Sequence, residues 1–487
     1  MNKNAVIAND QRERGNPCNL NQRHYGLLRL LRSLAMMLTL GIITMTALVQ
    51  PTQANNDRVL DIQSHTSPKG ISFWHVEDNS LPILTMHFAF RGAGAVIDPD
   101  GKTGLGQLLS NTLDEGAGTR GAEEFQEALD DHAIDLSFSN GRDHFSGKMR
   151  TLKHHAPLAF ELLTDALHNP LFDDEAVNRM RAANITRIKS SQSKSNWMAA
   201  RLMNDTYFGD HRYAMNSGGT ISGLQSITPK DMHDFVASEL TKDRLVVSTA
   251  GAMNFTEAGE YIDQVFADLP NGEHKSPLNH LTSPIQPLKK AFEKKSPQSV
   301  VQMVWPSLSK NDPDYHALRV MNHLLGGGGF SSFLMEEIRE KQGLTYGIYS
   351  QPAHLDYADY LLIESATSPG NIAKMTNSVS AILTMFKDEN VDAQLVSDAK
   401  SYLIGSLPMR FASTLSLSGA ALRMQLDGRE IDALDQWVNK INAVTADDVR
   451  RAARRVFKST EPSATVIVGA IPDDLGFDMI VTIPGIE

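Results

Sequence analysis

The sequence predicts an α+β fold of two similar lobes, each a mostly antiparallel sheet packed with helices, and three observations carry that expectation. The first is an internal echo. Ile227-Thr228-Pro229-Lys230-Asp231-Met232 opens a helical stretch followed by a strand that ends at Gly251-Ala252-Met253. Val444-Thr445-Ala446-Asp447-Asp448-Val449 opens another, followed by Ala464 to Val468 and Gly469-Ala470-Ile471. The two copies run in step, with 217 residues from Ile227 to Val444 and 218 from Gly251 to Gly469. The second observation is that strand-like runs follow one another through short turns, which favours antiparallel pairing. The third is a segment rich in proline (270, 277, 284, 287 and 297) and lysine (289, 290, 294 and 295) that reads as a connection over 270–297. It leaves an N-terminal lobe at 55–269 and a C-terminal lobe at 298–487.

The elements follow in order. Residues 1–54 read as a signal peptide or N-terminal anchor, because Arg23, Arg29 and Arg32 precede the uncharged apolar run Leu34 to Val49 and Ala54 closes a polar stretch. At 16 residues the run is short of the ~20 that span a bilayer. Cleavage near Ala54 would release a periplasmic or secreted protein; an uncleaved segment would anchor it to the membrane, facing the periplasm. The start codon could also lie downstream. In the first lobe, Ile71 to Val76 and Leu84 to Phe90 read as strands that pair, Thr103 to Asp114 and Ala122 to Asp131 as helices. Ile134 to Ser139 and His144 to Met149 read as another strand pair, Ala156 to Leu167 and Asp174 to Lys189 as helices. Thr228 and Thr445 stand as N-caps, each with an aspartate three residues on to complement the helix dipole. In the second lobe Ser299 to Trp305 is a strand and Tyr315 to Leu325 a helix. A tetraglycine, a short helix and the strand Thr345 to Ser350 follow.

Composition narrows the function. Hydrophobic residues at 41% and charged residues at 21% describe a folded body rather than a disordered, collagenous or coiled-coil chain. The net charge is −11, and the leader holds six bases against two acids, so the remaining 40 bases and 55 acids carry −15. Such a body disfavours nucleic acid and anionic membrane surfaces and suits a basic or neutral peptide. Cys18, the only cysteine, lies in the leader, so disulfides, thiol nucleophiles and cysteine metal sites are excluded from the remainder.

The segment from Asp98 to Thr119, with Gln107, Ser110 and Asn111 at its centre, resembles the active helix of the pitrilysin/insulinase metallopeptidase family. Two-lobed members of that family include the mitochondrial processing peptidase. Its inverted motif, H-x-x-E-H, places two histidines one turn apart on one helix face to bind zinc, with a glutamate between them that polarises the metal-bound water. Here Gln107 and Asn111 offer neutral oxygens and Ser110 no carboxylate. The resemblance implies a third ligand, a glutamate on a later helix, at a position that aligns near Arg187. Neighbouring Arg179, Met180, Arg181, Asn184 and Lys189 are no better. All four positions are degenerate, which implies no catalytic metal in this lobe.

The second lobe reads the opposite way. Leu325-Gly326-Gly327-Gly328-Gly329-Phe330-Ser331-Ser332 leads to Arg339 and Tyr346 and is similar to the family's substrate-binding segment, whose Arg and Tyr lie seven residues apart. Ser331 can cap the short helix and Gly343 can end it. The resemblance implies that Arg339 and Tyr346 are the catalytic contribution of the chain, Arg339 holding a peptide carbonyl and Tyr346 donating to the oxyanion. Gly326 to Ser331 would form the substrate-binding loop, although Phe333 departs from the arginine common among relatives. Bacterial two-lobed members often act as pairs, one chain bringing zinc and the other the Arg/Tyr pair. The expectation is thus a non-catalytic, substrate-binding subunit with no cofactor of its own, a zinc-bearing homologous partner, and a peptide or small-protein substrate. A zinc-less structural or assembly subunit and a peptide-binding chaperone are the alternatives. His154-His155, His316 and His323 lack ligand spacing, and the cluster Arg450, Arg451, Arg454, Arg455 and Lys458 reads as a solvated helix face.

Overall fold

A computed structural model describes residues 58–272, 278–281, 286–389, 391–472 and 475–487. The leader 1–54 and parts of the connection lie outside the described residues. In the first lobe the strands are β1 (Gln63–Thr66), β2 (Ser72–Glu77), β3 (Ile83–Arg91), β4 (Asp135–Asn140), β5 (His144–Leu152) and β6 (Leu245–Gly251). They form one sheet in the order β1-β2-β6-β3-β5-β4. The second lobe contributes β7 (Leu288–Glu293), β8 (Ser299–Pro306), β9 (Thr345–His354), β10 (Asp359–Thr367), β11 (Ala464–Gly469) and β12 (Asp478–Ile480) in the order β12-β7-β11-β8-β10-β9. Superposing the two orders pairs β6 with β11 and β3 with β8, so the sequence echo is a structural repeat. In each lobe the late strand lies parallel to one neighbour and antiparallel to the other. The α+β class holds.

The expectation that Ile71–Val76 and Leu84–Phe90 pair with each other is corrected. β6 enters between them, parallel to β2 and antiparallel to β3. Its sequence LVVSTAG is buried along nearly its whole length, as a central strand covered on both faces must be. Within the expected connection 270–297, Leu288–Glu293 forms β7, the counterpart of β2. Its lysines sit half-buried against the sheet, which leaves only Ala291 fully buried and hides the strand pattern. The segment read as helix from Thr103 to Asp114 is helical only from Leu105 to Ser110.

Both threonine caps are present as full capping boxes, Thr228 with Asp231 and Thr445 with Asp448. The arginine cluster on the last of these helices is not simply a solvated face. Arg451 donates to Asp314 at 2.7 and 3.0 Å and Arg455 donates to Asp312 and Asp314 at 2.6 and 2.8 Å. These hydrogen bonds hold both aspartates below the usual carboxylate range and pin helix Ala446–Val456 to helix Tyr315–Asn322.

The lobes exchange helices. Helix Ser195–Phe208, from the first lobe, lies on β8 and β11 of the second sheet, where Met198, Leu202 and Met203 meet Val300, Val304 and Val466. Helix Thr414–Leu426, from the second lobe, lies on β2, β3 and β6, where Leu417, Ala421 and Met424 meet Ile62, Val76 and Ala250. Since 219 residues separate Ser195 from Thr414, the exchange obeys the same repeat. Hydrogen bonds reinforce it. Thr85 bonds Thr414 at 2.9 Å, Ser248 donates to the Ser418 carbonyl at 2.6 Å and Gln425 donates to the Val247 carbonyl at 2.9 Å. Each sheet therefore has one face on its own lobe's helices and the other covered by its neighbour's helix.

Candidate functional site

The degenerate helix is anchored before it begins. Asp98, buried, accepts the backbone N–H groups of Gly104 at 2.7 Å and Gly106 at 3.0 Å, satisfying donors that a helix start leaves open. Burial raises its pKa to about 6, against the opposing pull of those N–H groups and Arg212. Leu105, Leu108 and Leu109 face the core, so Gln107 and Asn111 share the other side with Ser110 beside them. There the three side chains close on one another. Gln107 Nε2 donates to Asn111 Oδ1 at 2.9 Å and to Ser110 Oγ at 3.3 Å, and Ser110 Oγ donates to the Gln107 carbonyl at 2.9 Å.

This arrangement does not fit zinc. Asn111 Oδ1 already accepts a hydrogen bond from Gln107, and no anionic or imidazole ligand is present among the three. Arg187 lies exposed on helix Asp174–Ser191, which packs against the short helix, and partial burial lowers its pKa. A guanidinium there repels a cation where the resemblance asks for a carboxylate. Among the described residues no cluster of three His, Cys, Asp or Glu side chains converges as a metal site.

The second segment is open instead of closed. Helix Tyr315–Asn322 widens into a π-helical turn over His323–Gly327, and a second π-helix spans Met335–Lys341; such turns are frequent at functional sites. Gly326 has no room for a side chain, since a Cβ there would stand 2.6 Å from the Ser350 nitrogen. Gly329 and Gly343 adopt positive φ, +65° and +64°, and Gly343 ends the helix as the sequence suggests. The cap is a correction: Ser332, not Ser331, holds the N-cap position, its carbonyl accepting the Glu336 N–H at 2.9 Å. The Ser331 hydroxyl instead donates back to the Gly328 carbonyl at 3.1 Å and tightens the glycine turn.

Arg339 and Tyr346 are placed by different devices. Arg339 rises from the π-helix under Phe330, whose ring lies 4.4 Å from the guanidinium carbon. Its Nη1 is 3.4 Å from Glu340 without hydrogen-bond geometry and is otherwise unpartnered. Tyr346 opens β9 at a β-bulge. Ile348 faces Ser365 and Thr345 faces Thr367, so Tyr346 and Gly347 share the one opposite residue. The bulge is fixed by Thr345, whose hydroxyl reaches the Ala366 carbonyl at 2.7 Å, and by Ser365, which donates to the Gly347 carbonyl at 2.9 Å. It turns Tyr346 outward until 84% of the residue is exposed. The π-helix that carries Arg339 packs against β9, which carries Tyr346, and Phe330 over the guanidinium is 69% exposed. Sequence reasoning missed the Phe330 roof, the bulge and the stack of His323 on Tyr402 at 5.0 Å beside Gly328. The paired Thr345 and Ser365 hydroxyls have no local sequence signature.

Known proteins bear on this geometry. Residues 90–216 match the profile described as insulinase (peptidase family M16), and residues 226–403 match that of the peptidase M16 inactive domain. A non-peptidase homolog, YmxG, of Helicobacter pylori is 27% identical over 340 residues, 69% of this chain and 77% of its own. A protein named uncharacterized zinc protease YmxG, of Bacillus subtilis, is 23% identical over 378 residues, 77% and 91% of the two chains. The crystal structure of a peptidase M16 inactive domain from Pseudomonas fluorescens superposes with a TM-score of 0.79 at 22% identity, covering 85% of this chain and 99% of that one.

Proposed function

Because the chain belongs to the pitrilysin/insulinase family, peptidase family M16, as one of its non-catalytic members, we propose that it is the substrate-binding subunit of a heteromeric zinc metallopeptidase. In this reading the chain closes on a peptide or small protein together with a zinc-bearing homologous partner. The observation that supports it is the contrast between the two lobes. Gln107, Ser110 and Asn111 are locked into hydrogen bonds among themselves, whereas Tyr346 keeps an outward hydroxyl and Arg339 a partly exposed side chain whose buried Nη1 has no hydrogen-bond partner. Both are donors, suited to a peptide carbonyl and to the oxyanion that develops as the carbonyl is attacked. Phe330 holds the guanidinium in place before substrate arrives, so little side-chain freedom is lost on binding. The partner must supply the activated water. Gly327 to Gly329, which are not buried, present backbone without side chains for an extended chain to approach. The reading also places the protein in the periplasm or outside the cell, released from or anchored by its N-terminal segment.

The test is hydrolysis of a quenched peptide library by material co-purified on the tagged chain from native extract, with Arg339→Ala alongside. Activity abolished by chelator and strongly reduced in the variant, with the same partner retained, supports a split site. A stable partner without a zinc motif and no hydrolysis would leave the structural-subunit reading. Tight binding of unfolded peptides by the chain alone would favour the chaperone. Robust cleavage by the purified chain alone would refute the proposal outright.

A further inference from the structure

A cavity of about 460 Å³ opens in the second lobe between helix Tyr315–Asn322, helix Ala433–Ala443 and the C-terminal end of the exchanged helix Thr414–Leu426. Its size falls within the range of small-molecule sites. None of its lining belongs to the glycine turn or carries Arg339 or Tyr346. Tyr315, Phe411, Trp437 and Met424 supply apolar wall. The polar lining is cationic. Arg319 and Arg410 have no carboxylate in ion-pair range among the described residues, and the Lys440 ammonium reaches only Gln436 Oε1, at 3.5 Å. Arg429 is turned over Tyr315 at 5.7 Å and donates to the Lys310 carbonyl at 2.6 Å, a neutral partner that leaves its charge uncompensated.

The two acids of the lining do not balance these four cations. Asp427 is already taken by Lys310 at 2.5 Å and Arg423 at 3.2 Å, and Glu430 sits exposed at the rim. His316 reports the resulting field. Burial first, and then Lys440, Arg429 and Arg319, lower its pKa to about 4, so it remains a neutral hydrogen-bonding group at physiological pH. An apolar-walled cavity with surplus positive charge selects a ligand with the opposite head and a matching body. We propose that this cavity binds an amphipathic anion, a carboxylate or phosphate carried on an aromatic or aliphatic body.

Because Met424 and Asp427 end the helix that covers the first lobe's sheet, such a ligand also ties that helix to the second lobe. Binding should therefore raise the melting temperature. The test uses the purified full chain with phenylbutyrate and phenyl phosphate as probes, and phenylbutanol and inorganic phosphate as their halves, read by tryptophan fluorescence and thermal shift. The expected result is binding of one or both anions with a raised melting temperature, and at least about tenfold weaker binding of the halves. The arm that binds more tightly tells a carboxylate site from a phosphate site. Arg319→Gln combined with Arg410→Gln should weaken the preferred anion by about tenfold or more. If that double variant fails to fold, Lys440→Gln, on an exposed position, makes the same comparison. Equal binding of phenylbutanol, undiminished affinity in the folded variant, or no binding of either anion at millimolar concentration would each overturn the proposal.

Discussion

Leu202→Ala tests whether the helix exchange makes one cooperative body of the two lobes. Leu202 is fully buried on a helix of the first lobe, yet the surface it packs against is β8 and β11 of the second. Truncation removes three carbons from a site walled by Val300, Val304 and Val466 on a sheet whose backbone is fixed on both sides by hydrogen-bonded neighbours. Such a site collapses little, and the cost for a buried leucine is about 2.7–5 kcal/mol. The loss should appear in the lobe that does not contain the mutation. With about 1.4 kcal/mol per factor of ten, amide hydrogen exchange in β8 and β11 should accelerate about a hundredfold or more wherever it proceeds through global opening. The assay is peptide-resolved exchange by mass spectrometry beside urea denaturation of the same protein. A single unfolding transition shifted to lower urea, with faster exchange in both sheets, is the expected outcome. Faster exchange confined to β2, β3 and β6, with β8 and β11 unchanged, would show that the exchanged helices do not couple the lobes.

His87, bonded through Nδ1 to Ser418 at 2.8 Å, has its pKa lowered to about 4 by burial and secondarily by Lys148. The unfolded chain takes up this proton first, so its stabilisation is complete above about pH 6.5, is lost as pH falls toward 4, and amounts to about 3 kcal/mol. His87→Gln should flatten that part of the stability profile relative to the parent chain; Asp98, raised by burial, acts in the opposite sense and is common to both proteins. An unaltered acid slope in urea titrations would exclude His87 as its source. In the complex with the zinc-bearing partner, Arg339→Ala and Tyr346→Phe should each lower kcat by about a hundredfold to a thousandfold while co-purification is unchanged; loss of assembly instead would make them interface residues. Gly326→Ala places a methyl group 2.6 Å from the Ser350 nitrogen and 2.7 Å from its hydroxyl, and should cost about 1–3 kcal/mol in urea unfolding.

Much of the candidate site was legible because it rests on residue identity at fixed spacing. That Gln107, Ser110 and Asn111 lack ligand chemistry is a matter of side-chain type, and no tertiary arrangement turns a neutral amide into an imidazole. The conformation of Gly343 was likewise readable, since a helix that stops at glycine stops by local backbone freedom. What escaped was set by neighbours distant in sequence. The outward turn of Tyr346 depends on a bulge held by Ser365, and the orientation of Arg339 depends on Phe330, nine residues earlier at the end of the glycine turn. The arginines of the last helix looked solvated because Asp312 and Asp314, more than 130 residues earlier, are invisible to helical periodicity.

The sequence by itself determined the class of the fold, its twofold internal repeat and the chemistry missing from the first lobe. Each of these follows from local pattern, from a constant offset or from the identity of single side chains. Tertiary structure alone decided that β6 parts β2 from β3, that β7 lies within the expected connection, and that each lobe lends a helix to the other's sheet. Those are choices among partners of similar hydrophobicity. Burial of apolar surface is non-directional, so the pattern says that Leu202 and Leu417 must be covered, and only the packed chain says by what.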